Sequence, residues 1–351
     1  MLKTAIKTRA YATTGANEPL IPFEIERRAP RADDVLIDIK YCGVCHSDIH
    51  NTRDEWGGAL YPMVPGHEIV GIVTEVGSAV TRFKPGDRVG VGCMVDTCKE
   101  CSACNQGLEQ YCQKQVVLTY SSLELDGVTR TYGGYSRQIT VRDRFVVKIP
   151  DSLPLEKAAP LLCAGITTYS PLRHWQAGPG KSVAVVGLGG LGHVAVRLAV
   201  AMGAKVTVVS RSLNKKADAA AMGAVDYIAT SIDEDRARGQ EAFDLIINTV
   251  SSSADMDSYL GMLKLNGTMV LVGAPPEPLS VNPFGLLMRR RALAGSTIGG
   301  MPETQEMLDF CGEHGVTAEV EVIKMQDINQ AYERLLKADV RYRFVIDMAS
   351  L

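Results

Sequence analysis

The chain has 351 residues, 46% of them hydrophobic and 22% charged, with a formal net charge of −3. That length suits two domains, and the balanced charge argues against a nucleic-acid surface or an acidic interaction tail. No apolar run reaches the roughly 18 residues of a membrane span, so no membrane partner is expected. The opening MLKTAIKTRAYATTG lacks the apolar core of a signal peptide. Nine cysteines in such a chain do not read as a disulfide framework, and a cytoplasmic protein with reduced thiols is the expectation.

In chain order, the first 150 residues read as short β segments between glycine and proline turns. DVLIDIKYCGVC (34–45), HEIVGIVTEVGSAV (67–80) and DRVGVGC (87–93) are rich in β-branched residues and bounded by Gly, Pro or Asp. This texture predicts an irregular β-rich, barrel-like domain. From about Pro160 it changes. KSVAVVG is a buried-strand run, GLGGLG a turn, HVAVRLAVAMG a helix, AKVTVVS a strand and KKADAAAMGA a second helix. VDYIAT, FDLIINTV, the helix-like DMDSYLGMLK and GTMVLVGA continue the alternation, which predicts a parallel, doubly wound sheet. After about Leu287 the pattern is mixed, ending in a helix (QDINQAYERLLK) and a strand (RYRFVIDM).

GLGGLG (Gly187, Leu188, Gly189, Gly190, Leu191, Gly192) fits G-x-G-x-x-G after a strand and before a helix, the context a dinucleotide-binding turn requires. Gly187 permits the tight turn, Gly189 the approach of a pyrophosphate, and Gly192 close helix–strand packing. The helix N-terminus then offers N–H groups and a positive dipole to phosphate. At the end of the next strand an NAD enzyme usually carries an acidic residue for the ribose hydroxyls. This chain has Ser210, Arg211 and Ser212, with Lys215 and Lys216 behind. Hydroxyls and a guanidinium fork suit a 2′-phosphate that a carboxylate would repel, so NADP(H) is the expected cofactor.

Two cysteine patterns bear on metals. Cys98, Cys101, Cys104 and Cys112, within CKECSACNQGLEQYC, are close enough to wrap one tetrahedral ion. Zinc in a closed structural lobe is favoured over an iron–sulfur cluster or two disulfides. CGVCHSDIH (42–50) invites a second reading, as a redox dithiol or half a zinc knuckle. A catalytic zinc, however, needs three protein ligands and one open position, and its ligands need not be neighbours in sequence. CGVCHSDIH, VPGHEIVG with His67 and Glu68, and LLCAGITTYSPL with Cys163 are the stretches able to share such a site. Cys163 falls where the β domain hands over to the nucleotide fold, so a cleft site beside the nicotinamide is expected.

GVCHSD, PGHE, the four-cysteine lobe, LLCAGITTYSPL and GLGGLG occur in the order found in zinc-dependent medium-chain alcohol dehydrogenases. Over essentially its whole length, including the late GSTIGG and YRFVIDM segments, the chain resembles the cinnamyl alcohol dehydrogenase branch. Within it, the chain resembles bacterial NADP-dependent, broad-range aldehyde reductases. The resemblance implies a GroES-like catalytic domain over 1–152 and 290–351, and a Rossmann domain with its parallel sheet over 153–289. It implies catalytic zinc on Cys45, His67 and Cys163, the Cys₂His set known for alcohol dehydrogenases. Glu68 is implied as a neighbour able to ligate transiently, and the four lobe cysteines as ligands of a structural zinc. Cys42 becomes a packed core thiol.

By the same resemblance Ser47 would hold the substrate oxygen and relay its proton toward the cofactor ribose and His50, while Asp48 would orient His67. His46 is at most a phosphate contact. Thr167, Thr249, Gly273, Ser296, Thr297 and Ile298 are implied cofactor contacts. Cys93 and Cys311 read as structural, and Trp56, Tyr61 and Leu118 as pocket or core residues. The expected activity is NADPH-dependent reduction of aldehydes, with a small-molecule substrate and a homodimer. The alternatives are a polyol- or formaldehyde-type zinc dehydrogenase and, in another class, a zinc-free relative such as a quinone reductase or a lens crystallin.

Overall fold

The computed structural model describes residues 5–251, 256–273, 275 and 278–351. Asp255, which opens one predicted element, and Ala274, which closes another, lie outside the described residues. The chain divides into two compact units, Met1–Cys163 with Gly299–Leu351, and Ala164–Ile298. The sequence reading placed the crossings near 152 and 290. Residues Leu155–Ala158 and Ala159–Leu162 fall in the first unit because they pack against its strands Asp34–Val44 and Ile69–Val76.

The first unit is built on a seven-stranded mixed sheet. Its order is Val320–Lys324, Arg343–Asp347, Asp34–Val44, Ile69–Val76, Arg88–Val91 and Val147–Lys148, with Gln138–Arg142 also paired to Asp34–Val44. Val320–Lys324 and Arg343–Asp347 are parallel, joined through the helix Ile328–Leu336, and every other pair is antiparallel. Asp34–Val44 is the organising strand. Its first half pairs with Gln138–Arg142 and its second half with Arg343–Asp347, while Ile69–Val76 runs along its other side with register shifts at Leu36/Ile37 and Ile39/Tyr41. Such irregularities bend a strand and raise its twist, which lets one long strand serve two partners on one side. Val35, Ile37 and Ile39 are fully buried, as the β-branched run requires.

The second unit holds a six-stranded parallel sheet in the order Asp226–Ala229, Lys205–Ser210, Ser182–Val186, Phe243–Asn248, Leu263–Leu271 and Ala292–Gly295. Numbered within the unit this is 3-2-1-4-5-6, the Rossmann order, with its switch point between Ser182–Val186 and Phe243–Asn248. Val183, Ala184, Val185 and Val186 are all buried, as expected for a strand covered on both faces. The helix predicted over DMDSYLGMLK ends at Gly261, and the next strand begins at Leu263. Met262 and Leu263 are fully buried, Leu263 pairs with Phe243 in the sheet and Lys264 pairs with Asp244, so packing overrides helical periodicity there.

The turn after Ser182–Val186 is sterically fixed. Gly187 has φ +88°, a Cβ on Gly192 would lie 1.9 Å from the Gly187 carbonyl oxygen, and a Cβ on Gly189 would meet nothing within 4 Å. Two glycines thus shape the turn and the third leaves its backbone open. Gly192→Ala is expected to cost about 1–3 kcal/mol through overpacking against backbone, measured by urea unfolding. Gly189→Ala should be nearly neutral in the same measurement.

Candidate metal and cofactor sites

The register of the first unit's sheet assembles a cluster from distant segments. Cys42 pairs with Ile69 and Val44 with Phe344, so the end of Asp34–Val44 meets the beginnings of Ile69–Val76 and Arg343–Asp347. Cys45 follows the first of these strands, His67 and Glu68 precede the second, and Arg343 opens the third. The buried turn Ala159–Leu162 packs on the same strands and delivers Cys163. Ligand atoms of Cys45, His67, Glu68 and Cys163 all lie within 4.8 Å of one another, and all four residues are buried. Cys42 is not part of the cluster. Its thiol packs on the glycines at 66 and 134, where a Cβ would approach it to 2.7 Å, and burial pushes it well above the ordinary thiol range.

Asp48, fully buried, orders this cluster. It sits in the helix His46–Thr52, where its Oδ2 accepts the Cys45 N–H at 2.9 Å. Its Oδ1 accepts the Gly66 N–H at 3.1 Å and lies 3.1 Å from His67 Nδ1. An Nδ1–H donated to Asp48 leaves the His67 Nε2 lone pair free for a metal. Burial opposes protonation of His67, but the charge and hydrogen bond of Asp48 outweigh it and raise the imidazole well above its ordinary range.

The cluster's electrostatics call for a cation. The hydrogen bond with Cys163 holds the Cys45 thiol well below its ordinary range, and the same bond drives Cys163 well above. Two sulfurs are thus sharing one proton. Burial pushes the Glu68 carboxyl up to about 7, against the pull of Arg343. Arg343 is itself buried and forms an ion pair with Glu68 Oε1, while Glu68 Oε2 has no hydrogen-bond partner. Two thiols and the Glu68 carboxyl surround the Arg343 guanidinium beside His67, and a dication would satisfy the sulfurs' shared proton and the unpartnered Oε2.

Arg343 is one site residue that no sequence motif singles out. Its signal was a charge inside the apolar run YRFVI, which can be buried only if paired.

The lobe cysteines converge independently. Cys98 and Cys104 sulfurs are 3.9 Å apart, as are those of Cys101 and Cys112. Disulfide sulfurs stand about 2.05 Å apart. A tetrahedron with metal–sulfur bonds of about 2.3 Å has edges of about 3.8 Å, which fits this spacing. Backbone N–H groups of Cys101 and Gln113 point at Cys98 and Cys101 sulfurs, each at 3.4 Å, and stabilise thiolates. Together the atoms form a second group within 4.8 Å.

Among the remaining predicted residues, Ser47 Oγ is 3.7 Å from Cys45 Sγ. His50 pairs through Nδ1 with Glu55 and packs on Trp56 at 4.9 Å between ring centroids. Glu55 was not foreseen, since nothing in sequence marks a carboxylate five residues on as a partner. His46 lies 6.5 Å from His50 between ring centroids, and burial lowers its pKa. Tyr61 donates its hydroxyl to the Thr52 carbonyl at 2.9 Å, and Leu118 is exposed. Cys93, read as structural, points its thiol at the Leu162 carbonyl at 3.9 Å, next to Cys163, and so borders the cluster. Cys311 is buried against Met307.

In the second unit the predicted cofactor residues gather at the carboxyl ends of the parallel strands. Gly187 follows Val186, Ser210 ends Lys205–Ser210, Thr249 follows Asn248, and Ser296 follows Gly295. Gly273 stands two residues past Leu271. Open parallel sheets bind ligands at this edge. Thr249 bridges the switch point, its hydroxyl donating to the Val186 carbonyl at 2.8 Å. Lys215 Nζ donates to the Leu188 carbonyl at 2.7 Å, tying the second strand's end to the glycine turn. Arg211 and Ser212 are exposed. The Ser296 N–H bonds the Leu271 carbonyl, and Ile298 sits at φ +35°, a strained value for a β-branched residue. Thr167 is buried in the helix Ala164–His174.

A parallel Rossmann sheet and a GroES-like sheet unit carrying two metal-type donor sets define a medium-chain dehydrogenase. The chain matches the alcohol dehydrogenase GroES-like domain over residues 31–151 and the zinc-binding dehydrogenase family over 190–313. It is 61% identical over 343 residues to NADP-dependent alcohol dehydrogenase C 1 of Mycolicibacterium smegmatis, covering 97% of this chain and 98% of that protein. It is 53% identical to the aldehyde reductase YahK of Escherichia coli, with 99% of each chain covered. The crystal structure of CAD from Helicobacter pylori complexed with NADP(H) matches with a TM-score of 0.92 and 44% identity, covering 99% of each chain. The chain belongs to the zinc-binding alcohol dehydrogenase family, in its cinnamyl alcohol dehydrogenase branch.

The buried ion pair yields a direct prediction. Arg343→Met strands Glu68 as an unpaired buried carboxyl and should cost about 3–5 kcal/mol in urea unfolding. Arg343→Met combined with Glu68→Gln should recover most of that loss.

Proposed function

We propose that this chain interconverts primary alcohols and aldehydes with NADP(H), acting in the cytoplasm as a reductase of a broad range of aldehydes. The observation that carries this reading is the convergence of Cys45, His67 and Cys163 with Asp48 behind His67. These three residues would hold the catalytic zinc, and Cys98, Cys101, Cys104 and Cys112 a structural one. Bound there, zinc supplies Lewis acidity to a carbonyl oxygen and NADPH supplies the hydride.

The chain's own residues do the rest. Asp48 orients His67, and the Glu68–Arg343 pair keeps a spare oxygen donor beside the metal position. Ser47 holds the substrate oxygen, and the relay through His50, set against Glu55, delivers to that oxygen the proton that reduction consumes and carries it back to solvent when the alcohol is oxidised. Burial of Cys45, His67 and Cys163 excludes water from the donor set. The glycine turn and Thr249 cradle the pyrophosphate, while Ser210, Arg211 and Ser212 take the 2′-phosphate. Thr167, Gly273, Ser296, Thr297 and Ile298 complete the coenzyme contacts.

The sheet edge Ala292–Gly295, beside exposed Phe284, Leu287 and Met288, supports a homodimer built through that edge. Among the described residues no helix is long and apolar enough to cross a membrane.

Initial rates test the reading. With benzaldehyde, cinnamaldehyde or butanal, NADPH should be preferred over NADH, and Cys45→Ser should abolish turnover. Arg211→Glu should erode the preference for NADPH at least about tenfold, since it replaces a charge-assisted contact with repulsion. A preference for NADH, or full activity without Cys45, would overturn the assignment. Metal analysis should return two zincs per chain and Cys112→Ser one. Light scattering should give twice the 37.9 kDa chain mass, falling to the monomer in Leu287→Glu.

A further inference from the structure

We propose that Tyr135 is a positioning residue for the catalytic metal, its phenol holding Asp48 in the orientation that fixes both His67 and Cys45. The inference rests on the zinc reading above and names a residue that reading does not use.

Asp48 is fully buried and accepts from donors on every side. The Cys45 N–H, the Gly66 N–H and His67 Nδ1 all belong to segments that carry ligands. The Tyr135 hydroxyl, donating to Oδ2 at 3.4 Å, comes from a third segment. Oδ2 is therefore shared between the Cys45 backbone and Tyr135, and Oδ1 between Gly66 and His67. Rotation of the carboxylate would disturb two ligands together.

Tyr135 is itself fixed. It is fully buried, its N–H bonds the Pro65 carbonyl at 2.9 Å, and its carbonyl accepts from Tyr11 at 2.9 Å. Gly133 and Gly134 donate to the Val64 and Gly66 carbonyls at 2.7 and 2.8 Å. A Cβ on Gly133 would come within 2.3 Å of the Pro65 carbonyl oxygen, and one on Gly66 within 2.7 Å of the Tyr135 ring. Segments 64–66 and 133–135 are thus laminated backbone to backbone, and the Tyr135 ring is held where its hydroxyl reaches Asp48. Burial and the charge of Asp48 push its ionisation well above the ordinary range, so it is an O–H donor throughout the working pH range.

The test is metal release from the zinc-loaded enzyme to a chelating dye, comparing wild type with Tyr135→Phe and a control, Val141→Ala. Val141 is buried on Gln138–Arg142 and pairs with Val35, away from Asp48. In Tyr135→Phe one zinc should leave about tenfold faster, the usual effect of losing an outer partner of a ligand, while the lobe zinc leaves at the wild-type rate. The visible bands of cobalt substituted at the catalytic site should also shift. Val141→Ala should keep wild-type release and bands at a comparable loss of melting temperature. Unchanged release and bands in Tyr135→Phe, or equal acceleration in Val141→Ala, would refute the positioning role. Wild-type protein that holds only the lobe zinc would instead overturn the metal reading of Cys45, His67 and Cys163, and this proposal with it.

Discussion

The hydrogen bond between Asp48 and His67 is the interaction on which the Cys45–His67–Cys163 donor cluster depends. A buried carboxylate is costly unless every lone pair is engaged, and Asp48 meets that condition by drawing donors from three chain segments. The same bonds fix the His67 ring and the Cys45 backbone, so satisfaction of a buried charge and preorganisation of a donor set become one requirement. Remote strands must then meet in a single register, and the irregularities along Asp34–Val44 permit that.

Burial explains the cluster's chemistry as well as its geometry. Acidic donors enclosed with one guanidinium cannot all ionise, and the opposed shifts of Cys45 and Cys163 express that frustration. A divalent cation relieves it. The lobe solves the same problem differently, with backbone N–H groups on two of its sulfurs and a more exposed setting. A closed set of four sulfurs suits a structural ion, whereas three ligands beside a carboxylate tied to Arg343 suit an exchangeable position.

Local sequence was legible wherever function is written in contiguous residues. GLGGLG announced itself because strand, turn and helix are adjacent, and its first and last glycines each have a steric reason while Gly189 leaves the backbone open. The four lobe cysteines were legible for the same reason. The end of the second strand carries Ser210, Arg211 and Ser212 where an acidic residue is usual, and that substitution is the local signal for the NADP(H) expectation. DMDSYLGMLK misled past Gly261, because burial of Met262 and Leu263 is a tertiary fact that periodicity does not contain.

The sequence by itself determined the two textures, the phosphate-binding turn and the cysteine lobe, because short-range sterics and spacing suffice for them. It also made Cys45, His67 and Cys163 candidates, but through resemblance and residue chemistry, not through any spacing between them. Only the tertiary structure decided that Arg343 neutralises Glu68 and that Tyr135 reaches Asp48. Those partners are set by strand register across up to 275 residues of chain. A register shift of one residue would turn each side chain to the opposite face. Long-range pairing carries no mark in any one segment, so these contacts belong to the fold alone.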